Sequence, residues 1–214
     1  MFPGDYGFMS PTGRAQGIGY AQELLARLTN TTIPAANITT QNSTLLTDTY
    51  FPLDQTIYAD FTHDDNILSV LTALNYTQVA GDYLPADSMD SNRTFVLSHI
   101  TPFAARLIFE IADCSGSSSS NGSSSGNSTS SSNSTSSSGN STRIIRTILN
   151  NALAPMNEAQ GCTPRADGSC LLSEFVSYQQ QNAYEAANFD FACFAMNGTD
   201  FNVTSASIRN GTIA

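Results

Sequence analysis

Apolar residues fall along this chain in two ways, at helical spacing near 3.6 and in short, nearly continuous runs. In RAQGIGYAQELLARLTN, residues 14–30, Ile18, Ala21, Leu24, Leu25 and Leu28 fall at helical spacing, and Glu23 stands four residues before Arg27, a pairing that favours a helix. Residues 29–50, rich in Thr and Asn, predict an exposed loop. TIYADF, residues 56–61, is a short apolar run of β-prone residues. DDNILSVLTALNY follows, with two acids in its first turn and Ile67, Leu68, Leu71 and Leu74 on one face. This reads as strand, short loop, helix. ITPFAARLIFEIAD predicts a second strand, central in its sheet because LIFEI is nearly continuous in apolar residues, and RIIRTILN a third. SCLLSEFVSYQQQNAYE reads as a serine cap followed by a helix, and the polar tail after Asn197 is expected to fray.

The pattern stops altogether from Ser115 to Thr142, 28 residues made only of Ser, Thr, Gly and Asn. With no apolar side chain to bury, the tract cannot offset the entropy of ordering, so a disordered, glycosylated insertion is expected there. The expected organisation is an α/β domain over residues 1–114, the insertion at 115–142, the rest of the domain at 143–196, and a flexible tail at 197–214.

Composition narrows the setting. The chain has 214 residues, 40% of them hydrophobic, enough for the core of one ordinary domain or a large piece of one. The net charge is −10, and every basic residue is arginine. So acidic a surface repels nucleic acid and anionic membranes, which excludes both as partners. No run of about 18 apolar residues marks a membrane span. Asn-x-Ser/Thr sequons occur at Asn30, Asn37, Asn42, Asn75, Asn92, Asn121, Asn127, Asn133, Asn140, Asn197, Asn202 and Asn210, so many that N-linked glycans and a secreted or cell-wall location are expected. Cys162 and Cys170 flank TPRADGS, a polar turn able to bring two thiols together, and disulfides persist in oxidising compartments. No Cys or Cys/His spacing suggests zinc. Yet MFPGDYGFMSPTGRAQG lacks the basic and apolar regions of a signal peptide. The expectation is that Met1 lies inside a longer chain whose export signal went with its N-terminal part.

The candidate chemistry sits in YADFTHDDNILSVL, residues 58–71. A loop that leaves a strand and enters a helix points backbone N–H groups, and the positive end of the helix dipole, at whatever binds there. A protonated His63 would add charge and a directional donor for phosphate oxygens, and Asp64 could hand a proton to a departing alkoxide. The alternative is structural: Thr62, Asp64 or Asp65 caps the helix, and His63 is an ordinary loop histidine. Two motif matches carry nothing. GSSSG, residues 122–126, fits the serine-hydrolase pattern without a strand before it, and GIGYAQ lacks the third glycine of a dinucleotide fingerprint.

YADFTHDDNILSVLTALNY strongly resembles the C-terminal signature of the fungal histidine acid phosphatases, the branch that includes secreted phytases, where an apolar strand ends in Ser/Thr-His-Asp and enters a helix. GRAQGIGYAQELLARLT resembles the helix before that motif, TPFAARLIFEI the strand ending at a cysteine (here Cys114), GCTPRADGSCLLSEFV the small disulfide loop and its helix, and FACF the last cysteine segment. In order, these cover most of residues 10–196.

The resemblance implies the C-terminal part of a phosphoglycerate-mutase-like α/β sandwich. It further implies that His63 contacts phosphate and that Asp64 is the proton donor to the leaving oxygen. The reaction would hydrolyse phosphate monoesters, inositol phosphates among the candidates, through a phosphohistidine. No metal or other cofactor is implied, because histidines and arginines hold the phosphate.

The family's nucleophile lies in an N-terminal Arg-His-Gly-x-Arg-x-Pro motif that this sequence lacks. His99, the other histidine, has no such surroundings and reads as structural. Cys114 and Cys193 resemble half-cystines whose partners lie upstream; otherwise they stay free or bridge each other. The chain alone is therefore expected to be inactive, with the missing N-terminal part as its partner. The rival expectation is a non-catalytic secreted or wall glycoprotein derived from the same family.

Overall fold

The computed structural model describes residues 5–33, 42–82, 84–85, 87–115 and 141–194. Helix α1 runs Gly13–Thr29 and helix α2 Asp64–Ala73, close to the ranges the apolar spacing predicts. Ile18, Ala21, Leu24 and Leu25 of α1 and Leu68, Leu71 and Leu74 in and just after α2 are buried and share one core. The two helices cross closely enough that only Gly fits at position 17, where a Cβ would run into the Ser69 carbonyl and the Ala73 side chain. A four-residue helix α3, Leu97–Ile100, precedes the sheet.

Strands β1, Leu107–Ser115, and β2, Ser141–Leu149, form an antiparallel hairpin in register from Leu107 opposite Leu149 to Ser115 opposite Ser141. Two-residue strands β3, Ala152–Leu153, and β4, Cys170–Leu171, pair with the far side of β2. Charges opposed across the hairpin are complementary: Arg143 meets Asp113 at 3.1 Å and Arg146 meets Glu110 at 3.9 Å. Helix α4, Leu172–Ala187, turns Leu172, Phe175, Gln179, Ala183 and Ala187 inward and packs against α1 and β2. A last helix, α5, spans Phe189–Phe194. This is an α/β arrangement of helices with an antiparallel sheet. Between the layers, the fully buried Tyr76 shares a 2.5 Å hydrogen bond with Thr147 of β2.

Three expectations need correcting. Residues 56–61 do not form a strand: they join no ladder among the described residues, and Ile57 and Phe61 are 82% and 98% exposed. Apolar character reports the wish to be covered but not the presence of a neighbour to supply hydrogen bonds. For the same reason LIFEI is not central; β1 pairs only with β2 among the described residues. Helix α4 has no serine cap. Leu171 holds the N-cap position, while Ser169 is buried in the preceding turn, bonded to Asp167 and Arg165.

Most of the Ser-rich tract, residues 116–140, and the tail from residue 195 lie outside the described residues, as do the GSSSG match and Asn37, Asn121, Asn127, Asn133, Asn140, Asn197, Asn202 and Asn210. The ends of the tract are ordered, since Ser115, Ser141 and Thr142 belong to the hairpin. No helix among the described residues is long and apolar enough to cross a membrane.

Cys162 and Cys170 form a disulfide across the predicted turn. It closes a loop behind the short 3₁₀ turn Glu158–Gln160, whose capping box pairs Asn157 with Gln160. Replacing both cysteines by alanine is expected to cost roughly 2.5 kcal/mol, the loop-closure entropy for so short a loop. Urea unfolding under non-reducing conditions checks this, and an unchanged midpoint would refute it.

Candidate active site at the N-terminus of helix α2

His63 occupies the N-cap position of α2 with extended backbone, φ −108° and ψ 169°, and its carbonyl accepts the first bond of the helix from the Ile67 N–H at 3.3 Å. Its side chain and that of Asp64 are exposed; that of Asp65 is half-buried. Of the capping groups in the structural alternative, Asp65 alone is seen to take a first-turn N–H; the N-cap residue His63 makes no side-chain cap bond. Thr62 instead accepts from the Asn66 carboxamide at 2.6 Å, and the Asp65 carboxylate accepts from the Asn66 N–H at 2.8 Å. The helix N–H groups ahead of Asn66 stand beside an imidazole and a carboxyl, a combination suited to holding an anion and delivering a proton to it.

The approach to His63 is anchored from α1. Arg27 grips the Asp60 carboxylate with both terminal nitrogens, at 2.5 and 3.2 Å, and the Tyr20 hydroxyl donates to the same carboxylate at 3.0 Å. The guanidinium lies 4.9 Å from the ring centre of Tyr58, 5.3 Å from that of Phe51 and 6.0 Å from that of Tyr20. Burial pushes the Asp60 carboxyl up, but the hydrogen bonds and charge of Arg27, with the Tyr20 hydroxyl, outweigh it and hold the pKa below the ordinary 3.8. Burial, then Asp60, push the Tyr20 phenol up to about 12. Sequence reading saw Arg27 only as the partner of Glu23, a contact that exists at 3.7 Å. Asp60 passed unremarked; its signal was a carboxylate inside an otherwise apolar run.

Other expected positions fall elsewhere. His99 is exposed in α3, and its backbone carbonyl, not its ring, accepts from Asn150. Cys114 and Cys193 are exposed and unbridged, so of the alternatives the structure has them free. Burial, with Asp190 nearby, pushes the Cys193 thiol up. Among the sequons, Asn30, Asn42 and Asn92 are exposed. Asn75 differs: its oxygen accepts from Arg14 and its nitrogen donates to the Ala159 carbonyl at 2.6 Å, bonds that a glycan on that nitrogen would break. Burial pulls the Arg14 guanidinium down to about 10. Arg14, Asn75, Tyr178, Gln179 and Glu185 line an open cleft of about 370 Å³ to which neither His63 nor Asp64 contributes.

Residues 2–150 match the histidine phosphatase superfamily (branch 2). Curated relatives include phytase A of Aspergillus fumigatus, 31% identical over 80% of this chain and 31% of its own length, and phytase A of Emericella nidulans, 32% identical over the same shares. Phytase A of Neurospora crassa is 31% identical over 89% of this chain and 38% of its own length. The chain thus spans about a third of the length of the relatives it matches. With the match reaching from before α1 through the end of β2, and the His-Asp step at the head of α2 within it, the chain belongs to the histidine phosphatase superfamily, branch 2.

Proposed function

We propose that this chain carries the acid half of the active site of a secreted acid phosphomonoesterase, phytase-like in its substrate class, with phosphate monoesters such as inositol phosphates as substrates. His63 contacts the phosphate and Asp64 is the proton donor. The observation that carries the reading is the pair of exposed side chains at the head of α2, in a chain related to phytases.

Chemistry follows from those roles. A histidine nitrogen from an upstream Arg-His-Gly-x-Arg-x-Pro segment attacks phosphorus; the P–O ester bond breaks; the proton of Asp64 passes to the leaving alkoxide. Water then cleaves the phosphohistidine and releases phosphate. His63 and the outward N–H groups of α2 favour the charge on the phosphoryl oxygens throughout. The 214 residues contain no such motif, so the proposal takes the nucleophile from a segment upstream of them. Exposed sequons at Asn30, Asn42 and Asn92, where N-linked glycans are proposed, and the Cys162–Cys170 disulfide support secretion.

The deciding experiment defines the 5′ end of the transcript and assays the encoded product with an aryl phosphate at acidic pH. An upstream Arg-His-Gly-x-Arg-x-Pro in frame, and activity that the 214-residue chain lacks, is the expected result. A transcript that begins at Met1, with an inactive product, would overturn the enzymatic reading in favour of a non-catalytic glycoprotein.

A further inference from the structure

We infer that Arg27 and Asp60 form a positioning clamp that sets where His63 and Asp64 stand, a role that rests on the phosphatase reading above. The segment leading to His63 needs such a device. No backbone–backbone hydrogen bond of residues 52–62 is found among the described residues, and the segment's local ties run through side chains: the Gln55 N–H donates to the Tyr58 hydroxyl at 3.2 Å, and the Asn66 carboxamide of α2 donates to the Thr62 hydroxyl at 2.6 Å. A catalytic pair, by contrast, has to be held to about 0.5 Å of its productive geometry.

The clamp closes a loop of rigid parts. Helix α1 is locked against α2 at the Gly17–Ser69 crossing. Ten residues along α1, Arg27 grips Asp60 with two hydrogen bonds, and Asp60 precedes His63 by three residues. His63 is thereby fixed from both sides, by the helix it caps and by the carboxylate upstream of it. An exposed ion pair contributes little. This one differs: the Arg27 side chain is only 12% exposed, beneath the rings of Tyr20, Phe51 and Tyr58, and two-point contact fixes direction as well as distance.

The charged and titratable groups facing the pair are Glu23, on α1 and 3.7 Å from Arg27, and the phenols of Tyr20 and Tyr58. Asp60 has its pKa depressed by the fold, so the clamp is fully present above the ordinary carboxylate value of 3.8 and is lost as pH falls through the lower folded value.

The test uses the full chain, isotope-labelled, with amide exchange read at residues 59–64 and the His63 ring followed by NMR. Asp60→Asn is expected to speed exchange at these amides on the order of tenfold, while amides in the N-terminal half of α1, away from Arg27, stay as they are. On acidification, exchange corrected for its intrinsic pH dependence rises below pH 3.8 in the wild type and shows no such step in Asp60→Asn. Arg27→Lys recovers part of the protection that Arg27→Met loses, since a single ammonium cannot make the two-point grip. Unchanged exchange in Asp60→Asn, or an acid step that persists in it, would overturn the clamp. Inorganic phosphate supplies the separate control. If it leaves the wild-type His63 resonances unmoved, the phosphate-binding reading fails, while the exchange data still decide the clamp. If it moves them equally well in Asp60→Asn, the positioning role is refuted.

Discussion

Asp64→Asn, introduced into the whole enzyme, is expected to slow hydrolysis of alkyl and inositol phosphates by about 10²–10⁴-fold while barely affecting an activated aryl phosphate. An alkoxide is too basic to leave without a proton, so the step that breaks its P–O bond depends on a general acid. A nitrophenolate leaves unaided. An asparagine keeps the size of the side chain and removes only the transferable proton, and because Asp64 is exposed at the start of α2 the fold tolerates the exchange. The measurement is kcat/KM for both substrate types across pH. Equal slowing of the two would mean that Asp64 acts on binding or position and that another group donates the proton.

The second large effect is on stability. Phe175 sits one turn into α4 with 0% of its surface exposed, where that helix meets the core of α1, α2 and the sheet. Phe175→Ala is expected to remove about 3–5 kcal/mol, the lost transfer free energy plus the cavity left behind. Against a typical domain stability of about 5–15 kcal/mol, that is a large share. Phe175→Leu, which keeps most of the volume, should cost under about 1.5 kcal/mol. With no tryptophan in the sequence, far-UV circular dichroism is the natural probe of urea unfolding. A loss below about 1 kcal/mol for the alanine variant would show that α4 is not part of the cooperative core.

What could be read from the sequence was whatever depends on near neighbours. The spacing of Ile18, Ala21, Leu24 and Leu25 finds α1, the β-prone run RIIRTILN finds β2, and the turn between Cys162 and Cys170 finds the disulfide. Residues 56–61 show the limit. Their side chains have the chemistry of a strand, but a strand exists only where a second backbone answers it, and that is a property of distant sequence. The grip of Arg27 on Asp60 was illegible for the same reason, because 33 residues separate the two. Asn75 gives the converse lesson: a three-residue pattern marks it as a glycan acceptor, while the fold commits its carboxamide to Arg14 and Ala159.

The hairpin has a consequence for how this gene can change. Ser115 and Ser141 stand opposite each other at the end of the ladder, so the 25 residues between them, 116 to 140, join two points that the strands already hold side by side. Chain-closure entropy grows only logarithmically, about 0.6 kcal/mol for each doubling of length. Repeat slippage in a serine-rich coding stretch could therefore halve or double this segment without unseating the nine paired positions below it. Its length is the quantity expected to vary most freely among close relatives, whereas a single residue inserted in the middle of β1 would shift the register of the strand beyond it and turn those side chains to the wrong face.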